Sequence, residues 1–368
     1  MNILITGSKG FIGKNLVNFI RENFDFNVIE FSKGEDLKEL NKKILIANFI
    51  IHLAGVNRPK DETLFAKVNI DLTKYICDYL SKKSLKTPII FSSSIQASEQ
   101  NPYGFSKYTA EELLKNLNKI NNNNIFIYRL PGVFGKWCKP NYNSVVSTFC
   151  HNVINKKTLT LDNPKKNISL VYIDDVIENF CTVLNSTEKG LFFPKIEPEY
   201  KISIKRLAET IQNFYKDREN FKIDNVGSGL TRKLYSTFIS YLNDNQFSYS
   251  LKENIDERGK FIEILKTNNS GQFSFFTAYP GITRGGHYHN TKTEKFLVIH
   301  GKAEFKFKNL ITGSTKNLVT DADNPMIVDT IPGWVHNIKN IGSEELKVLL
   351  WSNENFDKNK PDTYQKEI

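Results

Sequence analysis

The sequence predicts an α/β chain in which a doubly wound parallel sheet is followed by a separate all-β domain. At 368 residues the chain is longer than one hydrophobic core usually serves. Up to about residue 185, short apolar runs alternate with helical periodicity, which is typical of parallel strands joined by helices. After Tyr249, short strands follow one another between glycine, proline and asparagine turns. We therefore predict two domains, at residues 1–245 and 246–368.

Each predicted element has a local signal. In the first domain, apolar runs predict strands at residues 2–6, 27–31, 49–54, 88–92 and 125–128. Residues at helical spacing predict helices at 11–22 and 69–82 and a largely helical stretch over 200–245. In the second domain, strands are predicted at 261–265, 273–278, 296–299 and 346–351.

Composition and charge exclude several classes of protein. The chain is 40% hydrophobic and 12% aromatic, unlike a disordered chain. Its formal charge is +10, but the lysines are dispersed and no basic recognition helix appears, so we predict an anionic small substrate and no nucleic acid. No apolar run approaches the roughly 18 residues of a membrane span, and no leader pattern precedes the first strand. The four cysteines form no Cys-x-x-Cys pair. We expect a soluble cytoplasmic protein with reduced cysteines.

Three glycines after the first strand predict a dinucleotide site. Gly7, Gly10 and Gly13 open the first helix, where a tight turn and unpaired amides suit a pyrophosphate. A turn without a ligand would not need three glycines in this register. We predict cofactor contacts from Gly7, Lys9, Gly10, Phe11, Ile12 and Gly13.

The end of the second strand indicates which dinucleotide binds. An acidic residue there would pair with the ribose 2′-hydroxyl of NAD, but Glu30 falls too early and should point away. Ser32 and Lys33 suit a 2′-phosphate, so we predict NADPH; the alternative is that Lys33 is merely solvated.

Tyr103 and Lys107 form a Tyr-x-x-x-Lys pair at the start of a predicted helix. One helical turn brings the ammonium beside the phenol. We expect this cation and the oxidised nicotinamide to lower the phenol pKa from about 10, so that tyrosine can exchange a proton with a substrate oxygen. A run of serines, Ser92 to Ser94, precedes the pair at the end of a strand.

These motifs resemble the extended short-chain dehydrogenase/reductase family, which includes sugar-nucleotide epimerases, dehydratases and reductases. The resemblance implies a Rossmann-type fold in which Ser94 hydrogen-bonds the substrate carbonyl, Tyr103 is the general acid and Lys107 also holds the nicotinamide ribose. The spacing from Ser94 to Tyr103 is shorter than in most sugar-nucleotide members, which leaves open which serine acts. Weaker matches lie at His52-Leu53-Ala54-Gly55, Asn69 and Tyr128-Arg129-Leu130-Pro131; they add Leu53 and Ala54 to the cofactor contacts, with His52 as a core residue.

A cluster of histidines in the second domain predicts a metal centre. His287 and His289 alternate on one face of a strand, and Glu294 returns on the next. His336 follows a Gly-x-x-His pattern further on. Three imidazoles and a carboxylate suit a divalent transition metal, of which zinc fits a non-oxidative role.

This pattern resembles the cupin family, which implies a jelly-roll fold. Residues 256–263 and 284–288 also resemble the dTDP-4-keto-6-deoxyhexose 3,5-epimerases. That resemblance implies substrate contacts from Arg258 and Glu263 and a catalytic base at His287. A metal ligand cannot readily serve as a free base, so we assign His287 as a ligand and leave the base open among Tyr288, Lys295, Lys302 and Lys306.

Across nearly its full length the chain resembles bifunctional capsular polysaccharide enzymes. The resemblance implies a homodimer that epimerises C3 and then reduces C4 of a UDP-activated 4-keto amino sugar. The chemistry is consistent, because a 4-ketone acidifies the C3 proton and reduction removes the ketone. Two alternatives remain: a single-activity NADPH-dependent sugar-nucleotide enzyme with a regulatory or dimerising cupin, and a non-enzymatic NADP-binding sensor.

Overall fold

The computed structural model describes residues 1–251, 253–256, 259–262, 265–267, 271–354 and 359–368. The chain forms two compact units, which are described separately. Unit 1 comprises Met1–Ser144 and Ile168–Ile202, and unit 2 comprises Val145–Asn167 and Ser203–Ile368.

Helices and strands alternate through the first 203 residues. In chain order they are β1 (Asn2–Thr6), α1 (Phe11–Asn23), β2 (Asn27–Phe31), α2 (Leu37–Ile46), β3 (Phe49–His52), a π-helical segment (Phe65–Asp71), α3 (Leu72–Lys82), β4 (Ile89–Ser94), a 3₁₀ turn (Ile95–Ser98), α4 (Pro102–Asn121), β5 (Ile125–Leu130), β6 (Gly132–Phe134), α5 (Val145–Ile154), β7 (Asn167–Tyr172), α6 (Ile173–Leu184), β8 (Leu191–Phe192) and β9 (Tyr200–Ser203).

Strands dominate the rest of the chain. They and the remaining helices are α7 (Ile204–Glu219), β10 (Lys222–Ile223), α8 (Gly229–Ile239), a 3₁₀ turn (Asp244–Gln246), β11 (Ser248–Ser250), β12 (Glu253–Asp256), β13 (Gly259–Ile262), β14 (Lys266–Thr267), β15 (Gln272–Ala278), β16 (Thr283–Tyr288), β17 (Glu294–His300), β18 (Lys302–Asn309), β19 (Thr315–Asp321), β20 (Met326–Asp329), β21 (Trp334–Asn340), β22 (Leu346–Ser352) and β23 (Tyr364–Gln365).

Unit 1 is built on a six-stranded parallel sheet in the order β2-β1-β3-β4-β5-β8. The apolar run Ile3–Ile5 of β1 is fully buried, as expected for a central strand covered on both faces. The chain passes from β1 to β2 on one side and returns to β3 on the other. The carboxyl ends of β1 and β3 therefore flank the point where strand order reverses, which is where open α/β sheets bind ligands. The predicted doubly wound fold is confirmed.

The strands of unit 2 form two five-stranded antiparallel sheets. Their orders are β11-β20-β17-β22-β15 and β19-β18-β21-β16-β23. Alternate side chains of β18 are buried, including Phe305 and Phe307, and Phe247 packs edge-on against Trp334 with ring centroids 5.0 Å apart. The predicted all-β region is confirmed.

Helices α5, α7 and α8 pack against one another in unit 2. Arg218 of α7 forms a buried ion pair with Asp329 of β20, and Lys295 of β17 lies 2.5 Å from the same carboxylate. Packing thus places these helices in the same unit as the strands that follow residue 245. The predicted boundary between residues 245 and 246 rests instead on the change from helices to short strands in the sequence. That boundary remains our proposal for the limits of the two domains.

Two further features bear on the sequence predictions. Cys77, Cys138, Cys150 and Cys181 are buried and form no disulfide with one another, as expected. In the part of the chain that the structure describes, no helix is both long enough and apolar enough to span a bilayer.

Candidate active sites

The glycine loop between β1 and α1 forms a cradle that larger residues would fill. Gly7 has φ +71°, and a Cβ there would lie 2.8 Å from the backbone of Ala54. A Cβ on Gly13 would lie 2.3 Å from the Gly7 carbonyl oxygen. Helix α1 begins after Gly10 with no side-chain cap and no acidic residue in its first turn. The backbone amides of its first turn can therefore donate hydrogen bonds to an anion, which fits a dinucleotide pyrophosphate.

The turn after β2 is organised around Glu35. The Ser32 amide donates to Glu35 at 2.7 Å, and the Ser32 and Ser8 hydroxyls lie 2.8 Å apart. Burial opposes ionisation of Glu35, but the hydrogen bond from Lys43 holds the pKa of its carboxyl below the ordinary value. Lys33 and Lys9 are exposed. The Ser32 hydroxyl thus lies in a region with two exposed lysines, Lys33 and Lys9, and the Glu35 carboxylate is paired with Lys43.

Glu30 pairs with Arg21 at 2.8 Å. Its carboxylate is thus held by α1, in agreement with the expectation that it takes no part at the cofactor. Leu53 and Ala54 follow β3, and their amides donate to the carbonyl and hydroxyl of Thr6 at 3.1 and 3.2 Å. The predicted cofactor contacts therefore come together at the carboxyl ends of β1, β2 and β3.

His52 is a core residue, as expected. Its Nδ1 lies 2.6 Å from the Thr6 hydroxyl and its Nε2 lies 3.0 Å from the Thr73 hydroxyl. Thr73 donates its own proton to the Asn69 carbonyl, so it accepts from Nε2–H and the ring is neutral. Burial and the nearby Lys107 ammonium lower the pKa of His52 to about 3. The imidazole therefore ties β1, β3 and α3 together.

The three consecutive serines have different roles. The Ser92 hydroxyl donates to the His52 carbonyl at 3.4 Å, and the Ser93 hydroxyl donates to the fully buried Glu111 at 2.5 Å. The Ser94 hydroxyl instead accepts from the Gln96 amide at 3.2 Å and lies close enough to the Tyr103 phenol to affect its pKa. Of the three, Ser94 is the one placed beside the candidate acid.

Tyr103 lies in the first turn of α4, which Asn101 caps by accepting from the Gly104 amide at 2.8 Å. Burial raises the pKa of the Tyr103 phenol, with Ser94 opposing this in part. The lowering expected from Lys107 is therefore not found, because burial dominates, whereas the lowering expected from the oxidised nicotinamide stays a prediction. A raised pKa keeps the phenol protonated at neutral pH, which is the form that donates a proton.

Lys107 lies one turn after Tyr103 and is 4% exposed. Its ammonium donates to the Ser92 carbonyl at 2.7 Å and lies 4.8 Å from the centre of the Phe91 ring. Burial lowers the pKa of Lys107 to about 8, and the Glu111 carboxylate opposes this in part. Lys107 is therefore mostly charged at neutral pH but close to losing its proton.

The predicted metal ligands come together in unit 2. One ligand atom each from His287, His289, Glu294 and His336 lies within 4.8 Å of every other. His287 and His289 come from the end of β16 and the residue after it, Glu294 starts β17, and His336 lies in β21. The predicted spacing thus corresponds to a real cluster.

The donor set fits a cation. The Nδ1 of His289 lies 2.7 Å from the carbonyl of Asp362, which can only accept, so a neutral ring presents the lone pair of Nε2 to Glu294 at 3.1 Å. Two acceptors face each other there unless a proton or a cation lies between them. The buried Nε2 of His336 has no hydrogen-bond partner among the described residues. Burial and the other imidazoles lower the pKa of His287 to about 3, which favours the neutral form that binds metal.

A cavity of about 260 Å³ adjoins this cluster between the two sheets. Four phenylalanines line it beside polar residues, and the Arg284 guanidinium lies 5.4 Å from the centre of the Phe276 ring. The lining includes Phe276, Arg284, His287, Glu294, Phe296, Phe305, Phe307 and His336. The space suits a small polar ring with an anionic substituent.

None of the four residues left open as the epimerase base lines this cavity. Lys295 is buried and held charged, since the Asp329 carboxylate raises its pKa against the effect of burial. Tyr288 stacks on Tyr364 with centroids 5.3 Å apart, Lys306 pairs with Glu304, and Lys302 is exposed. The predicted substrate contacts Arg258 and Glu263 lie outside the described residues.

Sequence reasoning missed several residues of these sites. Glu111 is fully buried and binds both Ser93 and Arg129, but an acidic residue four positions after Lys107 looks like an ordinary helix-surface residue. The role of Asp362 depends on a contact 73 residues away in sequence. Of the segments noted in the sequence, Tyr128–Pro131 could have drawn attention to the first of these regions, because it contains Arg129.

Comparisons with known proteins agree with this architecture. Residues 3–192 match the NAD dependent epimerase/dehydratase family, and residues 254–364 match the polysaccharide biosynthesis C-terminal domain. A curated relative from Pseudomonas aeruginosa, UDP-2-acetamido-2,6-beta-L-arabino-hexul-4-ose reductase, is 46% identical over 99% of this chain and 98% of its own. The crystal structure of the capsular polysaccharide assembling protein CapF from Staphylococcus aureus covers 100% of both chains at 37% identity, with a TM-score of 0.67.

A more distant neighbour supports the fold alone. UDP-glucuronic acid 4-epimerase from Bacillus cereus, solved with NAD, is 20% identical, covers 59% of this chain and 84% of its own, and has a TM-score of 0.54. With the family match over residues 3–192 and the relatives that span the whole chain, the protein belongs to the NAD dependent epimerase/dehydratase family and, within it, to the CapF-like proteins.

Proposed function

We propose that the chain is a bifunctional sugar-nucleotide enzyme of capsular polysaccharide biosynthesis. Its cupin domain epimerises C3 of a UDP-2-acetamido-2,6-dideoxy-4-keto-hexose, and its reductase domain reduces the C4 ketone with NADPH. The product is UDP-2-acetamido-2,6-dideoxy-L-talose, on the route to UDP-N-acetyl-L-fucosamine. The observation that carries the proposal is the Ser94–Tyr103–Lys107 arrangement in a chain 46% identical over 99% of its length to a UDP-sugar 4-ulose reductase.

The reductase domain is proposed to supply a proton while the cofactor supplies a hydride. NADPH, when bound, provides the hydride for C4. Ser94 donates to the ketone oxygen and orients it towards Tyr103. The Tyr103 hydroxyl gives its proton to that oxygen, which becomes the C4 hydroxyl as the C4–H bond forms. The charged Lys107 stabilises the phenolate that remains.

NADPH rather than NADH is supported by the turn after β2. Ser32 and Lys33 are proposed to contact the 2′-phosphate, next to a Glu35 carboxylate that Lys43 neutralises. An unneutralised carboxylate at this place would repel the phosphate and favour a ribose hydroxyl instead.

The cupin domain is proposed to hold the same sugar in the aromatic cavity beside the histidine cluster. Arg284 is the arginine that lines the cavity, and its guanidinium suits an anionic part of the substrate. A divalent metal, which we propose is zinc, would be held by His287, His289, Glu294 and His336, and when bound would act as a Lewis acid. Removal of the C3 proton and its return on the opposite face invert that carbon.

Two alternatives differ in measurable ways. In a single-activity enzyme, the cupin domain regulates or dimerises and only the ketone is reduced. In a sensor, NADP binds but no chemistry follows. The assembled Ser94 and Tyr103 pair favours an enzyme, since a sensor has no need of a proton donor beside its cofactor.

Isotope exchange separates these proposals. The full-length protein is incubated with the 4-keto sugar nucleotide in heavy water without NADPH, beside a protein-free control, and C3 deuterium is followed by NMR. We expect exchange in the wild type and in Tyr103→Phe but not in His336→Ala. NADPH is then added: the wild type should oxidise it and form the talose product, and Tyr103→Phe should not.

Failure of either half is informative. Wild-type NADPH oxidation with no enzyme-dependent deuterium at C3 would contradict the epimerase and favour the single-activity enzyme. NADPH binding with neither exchange nor oxidation would favour the sensor. A homodimer and a cytoplasmic location remain predictions, which light scattering and cell fractionation would test.

A further inference from the structure

A segment near the C-terminus lies beside the histidine cluster of unit 2. We call residues 361–365 the C-terminal strap. Its strand β23 pairs with β16, with Tyr364 opposite Tyr288 and Gln365 opposite His287. The Lys366 amide donates to the Gly286 carbonyl at 2.8 Å. The strap thus extends the sheet on the edge that carries His287.

Asp362 contacts a metal-ligand candidate directly through its backbone. Its carbonyl oxygen lies 2.7 Å from Nδ1 of the buried His289. Because a carbonyl accepts and does not donate, this bond places the proton on Nδ1 and leaves Nε2 free to face Glu294 and the cluster. The same bond fixes the orientation of the ring.

The side chain of Asp362 organises the loop between two ligands. Its carboxylate accepts from three consecutive amides, those of Asn290 at 3.0 Å, Thr291 at 2.8 Å and Lys292 at 2.7 Å. It also accepts from the Thr291 hydroxyl at 2.9 Å. These residues follow His289 and precede Glu294, so the carboxylate sets the path of the chain from one ligand to the next. Hydrogen bonds to a carboxylate are stronger than neutral ones.

Two observations indicate that this arrangement is built for the contact. Asp362 has φ +36°, a left-handed conformation that costs free energy for a residue with a Cβ and is held only when its surroundings demand it. Helix α8 supports the same loop, because Arg232 donates to the Thr291 hydroxyl at 2.5 Å and pairs with Glu354 at 2.7 Å. The Arg232 guanidinium also lies 3.9 Å from the Asp362 carboxylate.

We propose that Asp362 is a positioning residue of the metal centre: its carbonyl fixes the tautomer of His289, and its carboxylate fixes the loop between His289 and Glu294. This inference rests on the proposed metal centre but assigns it a structural partner that contacts neither metal nor substrate. Without the carboxylate, the strap loses its hydrogen bonds to the loop amides, and the carbonyl of Asp362 is held less firmly against the imidazole.

The test measures metal binding by the full-length protein. Wild type, Asp362→Asn and Asp362→Ala are stripped with a chelator, and zinc affinity is measured by competition with a chromogenic chelator. Asp323→Asn is the matched control, since Asp323 is an exposed aspartate of the same unit. We expect zinc affinity to fall about 10- to 100-fold in both Asp362 variants and to stay unchanged in the control. The absorption spectrum of the cobalt-loaded Asp362→Asn protein should also change, because the ligands are no longer held in one geometry.

The outcomes separate this inference from the proposed centre. Wild-type zinc affinity and an unchanged cobalt spectrum in folded Asp362→Asn would overturn the positioning role. A wild-type protein whose zinc binding is not reduced by His289→Ala would overturn the centre itself. Asp362→Asn keeps the size of the side chain, and its fold is checked by circular dichroism. A loss of affinity in folded Asp362→Asn supports the inference even if Asp362→Ala does not fold.

Discussion

The buried lysine of the reductase site predicts a specific pH dependence. Burial lowers the pKa of Lys107 to about 8, so the charged form is lost as pH rises through that value. By the titration equation, about 90% of Lys107 is charged at pH 7, about 50% at pH 8 and about 10% at pH 9. If only the charged form assists reduction, kcat/KM for NADPH should fall about tenfold between pH 7 and pH 9. The phenol of Tyr103 stays protonated through this range, because burial raises its pKa.

The assay is NADPH oxidation with NADPH and the 4-keto sugar nucleotide both well below their KM values, followed from pH 6 to pH 10 by the absorbance of the reduced nicotinamide at about 340 nm. Since kcat/KM for NADPH reports the free enzyme, its break should lie near pH 8. Glu111→Gln removes the carboxylate that raises the Lys107 pKa, and should therefore move the break to lower pH.

Tyr103→Phe identifies the titrating group. It should lower the rate by about 10²- to 10⁴-fold, as expected for loss of a general acid. No phenolate forms in this variant, so the negative charge stays on the C4 oxygen, where the charged Lys107 still stabilises it, and the residual activity should keep the same break. A break that disappears in Tyr103→Phe, or one that Glu111→Gln leaves in place, would refute the assignment to Lys107.

Two further predictions concern the cofactor. Lys43→Ala leaves the Glu35 carboxylate unpaired beside the proposed 2′-phosphate site and should weaken NADPH binding about tenfold while leaving NADH binding unchanged. Fluorescence titration with both coenzymes checks this, and Lys42→Ala, which removes an exposed lysine of the same helix, should have no effect. Gly13→Ala places a Cβ 2.3 Å from the Gly7 carbonyl oxygen and should weaken binding of either coenzyme at least about 100-fold. Unchanged coenzyme affinity in folded Gly13→Ala would contradict this prediction, because the loop could then move away from the helix without loss of binding.

Local patterns were enough to predict much of both sites. The glycine spacing at Gly7–Gly13 determines how closely backbone segments approach. The alternation of side chains along and just after β16 places His287 and His289 on the same side of the chain, where both reach the cluster. These properties depend on neighbours in sequence, and sequence shows them directly. The two fold classes follow from the same local periodicities.

Contacts between distant segments were not predictable in the same way. The raised pKa of Tyr103 follows from burial of its side chain at the start of α4, which no motif records, so the expected contribution of Lys107 does not decide the direction of the shift. Lys295 appeared free to act as a base, yet its strand places it against Asp329, an anion 34 residues away. For each of these residues, tertiary packing decides the charge state.

The interleaving of the two units limits how the protein can be divided. The chain leaves unit 1 after Ser144, returns after Asn167 and leaves again after Ile202, so no single break in the gene yields both units whole. A fragment beginning at residue 246 would keep the strands but lose Arg218, which leaves Asp329 without one of its buried partners. Such an interleaved chain differs from two modules joined end to end, and either unit could be exchanged between related proteins only by grafting more than one segment.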